Sequence, residues 1–295
     1  MNEVGTKNSI MVSVCCLVFN HEPFLRECFE GFLMQKTTFP IEILVHDDAS
    51  TDHSADIIRE YTTKYPDLFK PVYQTENQYS KGVNVFAENL MRSKGRYIAI
   101  CEGDDYWTDP LKLQKQVDFL EANSDFSLCF HRVMIWKQNE SVLVDDFITK
   151  EVPQETNIYE LAKGNYIHTP SVVFRRNQDV LDTFKKMTNI MVGDFPLWLL
   201  NAQYGKIYKY SDCMAVYRYG SGMWSSENNF FMKLTGLIML SKLVLYIKDR
   251  KVCEELENQI NANRIFLMDS YNSLYNSFGY RIERKILNII KNCNH

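Results

Sequence analysis

The sequence is short of the features that would place it in several function classes. None of its eight cysteines forms a C-x-x-C pair. Several fall inside apolar runs, where a thiol acts as a small hydrophobe, so reduced thiols of a cytosolic protein are expected rather than a disulfide framework. The six histidines show no metal-ligand spacing. The opening MNEVGTKNSI lacks both the basic start and the apolar centre of a signal peptide. LIMLSKLVLYIK, the longest apolar stretch near the end, is interrupted by Ser241 and Lys242 and is too short to span a bilayer. No G-x-G-x-x-G or G-x-x-x-x-G-K-[ST] follows any strand-like run, which removes the usual loops of backbone amides that cradle phosphates. A formal net charge of -4 provides no overall attraction for nucleic acid. There is neither an internal repeat nor a low-complexity segment.

What is present is enough chain for a large core. The 295 residues are 45% apolar and 24% charged, which suits one large domain or a domain with a helical appendage. Over the first 130 or so residues two patterns alternate. Continuous apolar runs (MVSVCCLVF at 11–19, IEILVHD at 41–47, RYIAICE, FSLCFHRVMIW) read as buried strands. Between them Phe24/Cys28/Phe32, Ile58/Tyr61/Tyr65, Val83/Phe86/Leu90 and Leu113/Val117/Leu120 recur at helical spacing. Such alternation implies βαβ units with right-handed crossovers in a mostly parallel sheet. From about 137 to 157 the chain is polar and reads as surface loop. TPSVVFRR (169–176) and KIYKYSD read as strands, and GDFPLWLLNAQYG (193–205) as a short helix closed by a C-terminal glycine. From about Glu227 onward apolar residues keep a helical period, giving two or three helices.

Ligands of an open parallel sheet bind beyond the carboxyl ends of its strands. Three such ends are polar here: FNHEP, HDDASTD and EGDD. Asp47, Asp48, Ser50 and Asp52 also suit helix capping, and Asp104 and Asp105 also suit a turn. A helix needs one cap, however, and two exits carry more acids than capping uses. An EF-hand is excluded, because His53 and Arg59 occupy the positions of its glycine and its bidentate glutamate. Crowded carboxylates repel unless water surrounds them or a cation sits among them. With no phosphate loop, a divalent cation on carboxylates is the other common way to hold a nucleotide's phosphates.

The segments VSVCCLVFNHEPFLRECFEGFLMQ, IEILVHDDASTDHSADIIREY, RSKGRYIAICEGDDYWTDPLKLQKQVDFLE and GDFPLWLL together resemble the family 2 glycosyltransferases of the GT-A fold, over residues 11 to 225. DDAST-D, followed some fifty residues later by GDD after an apolar strand, is the specific part. Relatives with similar GDDYW and TPSVVFRR segments build bacterial surface glycans. The resemblance implies a Rossmann-like, mostly parallel central sheet flanked by helices, with a C-terminal helical extension. It divides the chain into a catalytic domain at 1–225 and helices at 226–295. It implies an inverting transfer of a sugar from a nucleotide-sugar donor, UDP-linked by preference, to a hydroxyl of a glycan or lipid-linked acceptor in surface polysaccharide synthesis. Phe19, Asn20 and Glu22 would line the nucleoside site. Asp48 or Asp47, with Asp48 favoured, would bind the base. Lys81 would contact phosphate or base, and Asp104 the ribose or sugar. Asp105 would ligate Mn²⁺ or Mg²⁺, and Asp194 would be the catalytic base. His168, Arg218 and Trp224 would serve the acceptor site or a lid.

One departure stands out. Relatives often carry a histidine after a YR pair, but here Tyr217 and Arg218 are followed by Tyr219 and Gly220. That gives standing to an alternative, a catalytically weak nucleotide- or glycan-binding subunit; a nucleotidyltransferase, which shares the sheet architecture and metal carboxylates, ranks below it because FNHEPFLRE stands where a glycine-rich basic loop is usual. Ile282, Ile286 and Ile289 share a face bordered by Arg281, Arg284, Lys285 and Lys291. This C-terminal basic helix is the expected place for peripheral membrane contact, at the inner face of the membrane of a cytoplasmic protein, or for pairing into a homodimer.

Overall fold

The computed structural model describes residues 9–220 and 229–292, with side chains through residue 273. The boundary expected at 225/226 therefore lies outside the described residues, as does Trp224.

Four strands, β1 (Val12–Val18), β2 (Ile41–Asp47), β3 (Val72–Tyr73) and β4 (Tyr97–Ile100), form the parallel half of one sheet. β5 (Tyr106–Trp107), β6 (Phe126–Lys137), β7 (Val142–Asp145), β8 (Glu155–Thr156), β9 (Val173–Arg175) and β10 (Lys206–Tyr219) complete it. The order along the main path is β3-β2-β1-β4-β9-β6-β10-β5, with β7 on β6 and β8 on β10. β9 is antiparallel to both β4 and β6, so β4, β6 and β10 point the same way. The exits of β1, β2, β4 and β10 thus share one edge.

Alternation along β1 explains the double burial. Val12, Val14, Cys16 and Val18 face one apolar layer, with α1 (Leu25–Leu33), α2 (Ser54–Lys64), Trp107 and α4 (Lys112–Ala122). Cys15 faces the other, with α3 (Val85–Met91), α5 (Ile158–Ala162), α6 (Gln178–Lys186) and α7 (Asp194–Ala202). Helix Asn229–Leu243 and the long last helix, Arg250–Asn292, add Met239, Leu240, Leu243, Val252 and Leu256 to this second layer. They extend the core of the sheet domain.

Three expectations need correction. The polar stretch 137–157 contains β7 and β8, which pair at the sheet's margins; β7 is a short, mostly exposed run (VLVD) set among polar residues, and β8 is only two residues long. The strand read as KIYKYSD continues to Tyr219 through irregularities between Tyr210 and Ala215, where the alternation is lost. Gly205 does not close α7, whose C-cap is Gln203. A Cβ at Gly205 would lie 2.7 Å from the Asp125 carbonyl oxygen, so close backbone approach accounts for the glycine.

Candidate active site

The crevice is built from strand exits. At the end of β1 the chain turns through Asn20 in the left-handed region, φ 56°, and at the end of β2 through Ala49, φ 63°. The two loops are stapled together. The Ser50 hydroxyl accepts from the Asn20 amide at 3.0 Å, and the Asn20 side chain accepts from the Thr51 amide at 2.8 Å. Asp52 accepts from the amides of Glu22 (3.0 Å) and Ser54 (2.9 Å), while Glu22 accepts from the His53 amide at 3.1 Å. Burial pushes the Asp52 carboxyl up, but these bonds outweigh it and hold the group below its usual range.

Asp47 and Asp48 are buried. Asp47 accepts from the Ser50 amide at 3.2 Å. Both oxygens of Asp48 are used, by the amides of Gln78 (2.8 Å) and Tyr79 (3.0 Å), so this carboxylate fixes the 77–79 turn above β2. Phe19 stays 44% exposed at the mouth. Lys81, on the rim, is ion-paired with Glu76.

The β4 exit differs. The Glu102–Asp105 turn packs so closely on the β1 exit that a Cβ at Gly103 would sit 2.7 Å from the His21 Nδ1 and 3.0 Å from Leu25. Any larger residue at Gly103 would have to displace the His21, Leu25 and Val18 side chains. Asp105 is 1% exposed. One of its oxygens accepts from the Arg218 amide at 2.8 Å, and Oδ2 is buried with no hydrogen-bond partner. Burial and then the neighbouring Asp104 push its carboxyl well up. Glu102 is raised to about 8 by burial, by Asp104 and by Asp194. Sequence reasoning left Glu102 without a role, although its place in the acid cluster was visible.

Asp194 opens α7, behind Gly193 as N-cap, rather than capping the helix itself. Burial raises its carboxyl, opposed by the Phe195 amide and by Asn165, whose Nδ2 donates to Oδ2 at 2.7 Å. Asn165 has no sequence signal and was missed. His168 Nε2 lies 3.0 Å from Asp146 Oδ2, and its ring is 4.8 Å from that of Tyr217. The Tyr217 hydroxyl is raised by burial and then by the charges of Asp105, Glu102, Asp104 and Asp194. Tyr79 ties in the Asp48 wall. Its amide is on Asp48, its hydroxyl donates to the Met191 carbonyl at 3.1 Å, and burial with the Glu102 charge raises it to about 12.

Arg218 is not on a lid. Its guanidinium is buried between the rings of Phe24 (4.7 Å) and Tyr106 (4.8 Å), bonded to the Asp104 carbonyl and the Glu27 carboxylate. It braces the acidic turn from beneath.

The unpartnered Oδ2 of Asp105, aimed among acids, fits a hard cation. Among the described residues no group of three or more His, Cys, Asp or Glu forms a metal cage. A surface hollow of about 470 Å³ lined by Glu22, Arg26, His53 and Glu60 includes none of the strand-exit acids Asp47, Asp48, Asp104 and Asp105.

The sequence profile "Glycosyl transferase family 2" matches residues 13–184. An uncharacterised protein of Mycobacterium tuberculosis is 38% identical over 217 residues, covering 73% of this chain and 61% of the relative. The chain thus spans about three-fifths of the length of the mycobacterial proteins it matches. WfaP of Escherichia coli, a UDP-Glc:alpha-D-GlcNAc-diphosphoundecaprenol beta-1,3-glucosyltransferase, is 34% identical over 191 residues, 64% of this chain and 69% of that protein. Among solved structures, Staphylococcus aureus TarS 1-349 in complex with UDP-GlcNAc superposes with a TM-score of 0.62 at 17% identity, covering 85% of this chain and 72% of that one. The fold is GT-A, and the chain belongs to the family 2 glycosyltransferases.

Proposed function

We propose that the protein is an inverting glycosyltransferase that moves a sugar from a UDP-linked donor to a hydroxyl of a glycan or lipid-linked acceptor in surface polysaccharide synthesis, at the cytoplasmic face of the membrane. The observation that carries this reading is the buried, unpartnered Oδ2 of Asp105 in the acidic Glu102–Asp105 turn at the exit of β4. UDP-Glc as the donor in the name of WfaP favours uracil as the base.

In this reading Asp105 would hold Mn²⁺ or Mg²⁺, with Asp104 and Glu102 facing ribose and sugar. The cation would supply positive charge where the departing diphosphate develops negative charge. Phe19 offers a ring face to the nucleoside, Asn20 and Glu22 hold that wall, and Asp48 with Asp47 shapes the base pocket through the 77–79 turn. Lys81 can leave its exposed Glu76 pair for phosphate. Asp194 takes the proton of the acceptor hydroxyl as that oxygen attacks the anomeric carbon. The new C–O bond forms as the bond to the diphosphate breaks, and UDP leaves. A raised pKa makes Asp194 a stronger base once ionised. His168, beside Tyr217 and the Asp194 cluster, contacts the acceptor side. Sheet domain 1–225 carries this chemistry and helices 226–295 the attachment.

The test is UDP release by the purified chain from UDP-glucose, UDP-galactose and UDP-GlcNAc with Mn²⁺, with and without lipid-linked acceptor. Release that EDTA and Asp105→Ala abolish is expected. Full activity of Asp105→Ala on the true substrate removes the metal assignment. Pyrophosphate as product indicates a nucleotidyltransferase, and UDP binding by calorimetry without turnover indicates a binding subunit.

A further inference from the structure

Helix Asn229–Leu243 and the 3-10 turn Val244–Tyr246 form an 18-residue apolar stretch of mean hydropathy 1.3. By length and composition alone it could cross a membrane, but its two faces have different surroundings. Thr235, Met239, Leu240 and Leu243 are buried. Phe230, Leu234 and Ile238 are 41%, 37% and 41% exposed. At about 100° per residue those three fall within an arc of roughly 80°. Leu245, in the turn that follows, is 75% exposed. Lys233 and Lys242 border the arc on either side, and Lys248 follows it. Between Asn229 and Lys248 there is no Asp or Glu.

We propose that this face lies in the headgroup region of an anionic lipid bilayer. The charge pattern selects that occupant. Lys233 and Lys248, flanking the apolar arc, can lay their stems on the acyl boundary and put their ammonium groups among anionic headgroups, whereas the Lys242 ammonium is held by the protein. Pairing the same face with a second copy would set lysine against lysine, with no acid in the segment to answer them. The helix does not span. One side is packed into the core, and Lys242 Nζ bonds the Thr188 carbonyl, in the turn that leads towards Asp194. The bilayer surface then lies near the acceptor end of the crevice, where a lipid-linked glycan presents its hydroxyl. This last step rests on the proposed transferase activity, whereas the surface itself does not.

The experiment is flotation of the full chain with vesicles of phosphatidylcholine alone or with about 30 mol% phosphatidylglycerol. Wild type is expected to float with the anionic vesicles and to lose most of that binding at about 0.5 M salt. Leu234→Glu/Ile238→Glu is expected to bind about tenfold less. Leu143→Glu, exposed on β7 and not part of the helix, should bind as wild type. Equal binding by the double variant, absence of wild-type binding, or equal loss in Leu143→Glu overturns the proposal. So does a lipid-free dimer, seen by light scattering, that the double variant dissociates. Thermal melts confirm that each variant folds. UDP release from a soluble donor, read on the same samples, separates the two ideas: binding without turnover defeats the transferase and leaves the surface, and turnover without binding does the reverse.

Discussion

At the exit of β2, Asp48 and Asp52 each have both oxygens occupied by backbone amides, and Asp47 holds Ser50. At the exit of β4, on the other side of β1, Asp105 has one oxygen bonded and one bare, and Glu102 is raised to about 8. The same residue type does opposite things in two neighbouring loops. In the first, carboxylates are structural, because amide donors stabilise the charged form and fix the turn. In the second, buried carboxylates repel one another, and the fold carries that repulsion. On the proposed function, what separates architecture from chemistry is how many donors each acid finds.

The comparison breaks most sharply on activity. Asp105→Asn is expected to lower kcat about 10³-fold or more, roughly 4 kcal/mol of transition-state stabilisation. In EDTA the same variant should melt no lower than wild type, since it relieves the burial and Asp104 repulsion that strain the carboxyl while keeping an acceptor for the Arg218 amide. Metal-free stability should also depend on pH through Glu102. Its folded pKa is raised from 4.5 to about 8, so between those values the native state binds more protons than the unfolded chain. Stability is then fully present below about pH 4.5 and declines as pH rises to about 8. Glu102→Gln should flatten that decline in melts recorded across the window.

At the β2 exit the sign reverses. Asp48→Ala leaves the Gln78 and Tyr79 amides without their acceptor and should destabilise by about 2 to 3 kcal/mol, read as a lower urea midpoint. If Asp48→Ala and Asp105→Asn shift the metal-free melting temperature in the same direction, the two loops are not the contrast drawn here.

The sequence made both acid clusters legible and could not tell them apart. The apolar runs located β1, β2, β4 and β6 because both faces of those strands are buried. β7 and β8 escaped because backbone pairing at a margin leaves no side-chain period. Arg218 looked like a loop residue beside a glycine, yet it lies on a strand whose bulge hides its length, with aromatic rings on both sides. Asn165 was invisible as a partner, since its role comes from Asp194, distant in the chain, and the sequence showed Glu102 in the acid cluster without showing its burial or the Asp194 charge that acts on it. Lys112 is the extreme case, an ordinary helical lysine in the sequence. It is fully buried over the Trp107 ring, and burial lowers it to about 7.

Asn165 gives a finer probe of the starved side. Its amide stabilises the charged form of Asp194, so Asn165→Ala should raise that pKa further and move the acid limb of log kcat to higher pH, by about one unit at most. Below the limb kcat falls up to about tenfold, whereas on the alkaline plateau it and the donor KM stay near wild type. A uniform loss at all pH values would mean that Asn165 acts by packing alone.

The smallest expected effect concerns the saturated side, where the donors of the β2 exit are reached only by bending the chain through Ala49 at φ 63°. An alanine Cβ in the left-handed region meets the following carbonyl, at a cost of about 1 to 2 kcal/mol that glycine avoids. Glycine gives back part of that gain through greater freedom in the unfolded chain. Ala49→Gly should therefore stabilise by about 0.5 to 1 kcal/mol, visible as a small rise in melting temperature. Asn20 has a similar φ of 56°, but its side chain accepts from the Thr51 amide, so Asn20→Gly should destabilise instead. Opposite signs for the two glycine variants would show that the loop tolerates strain only where side-chain hydrogen bonds do not already favour the bend. A loss of stability in Ala49→Gly would mean that the alanine methyl contributes packing that outweighs its backbone cost.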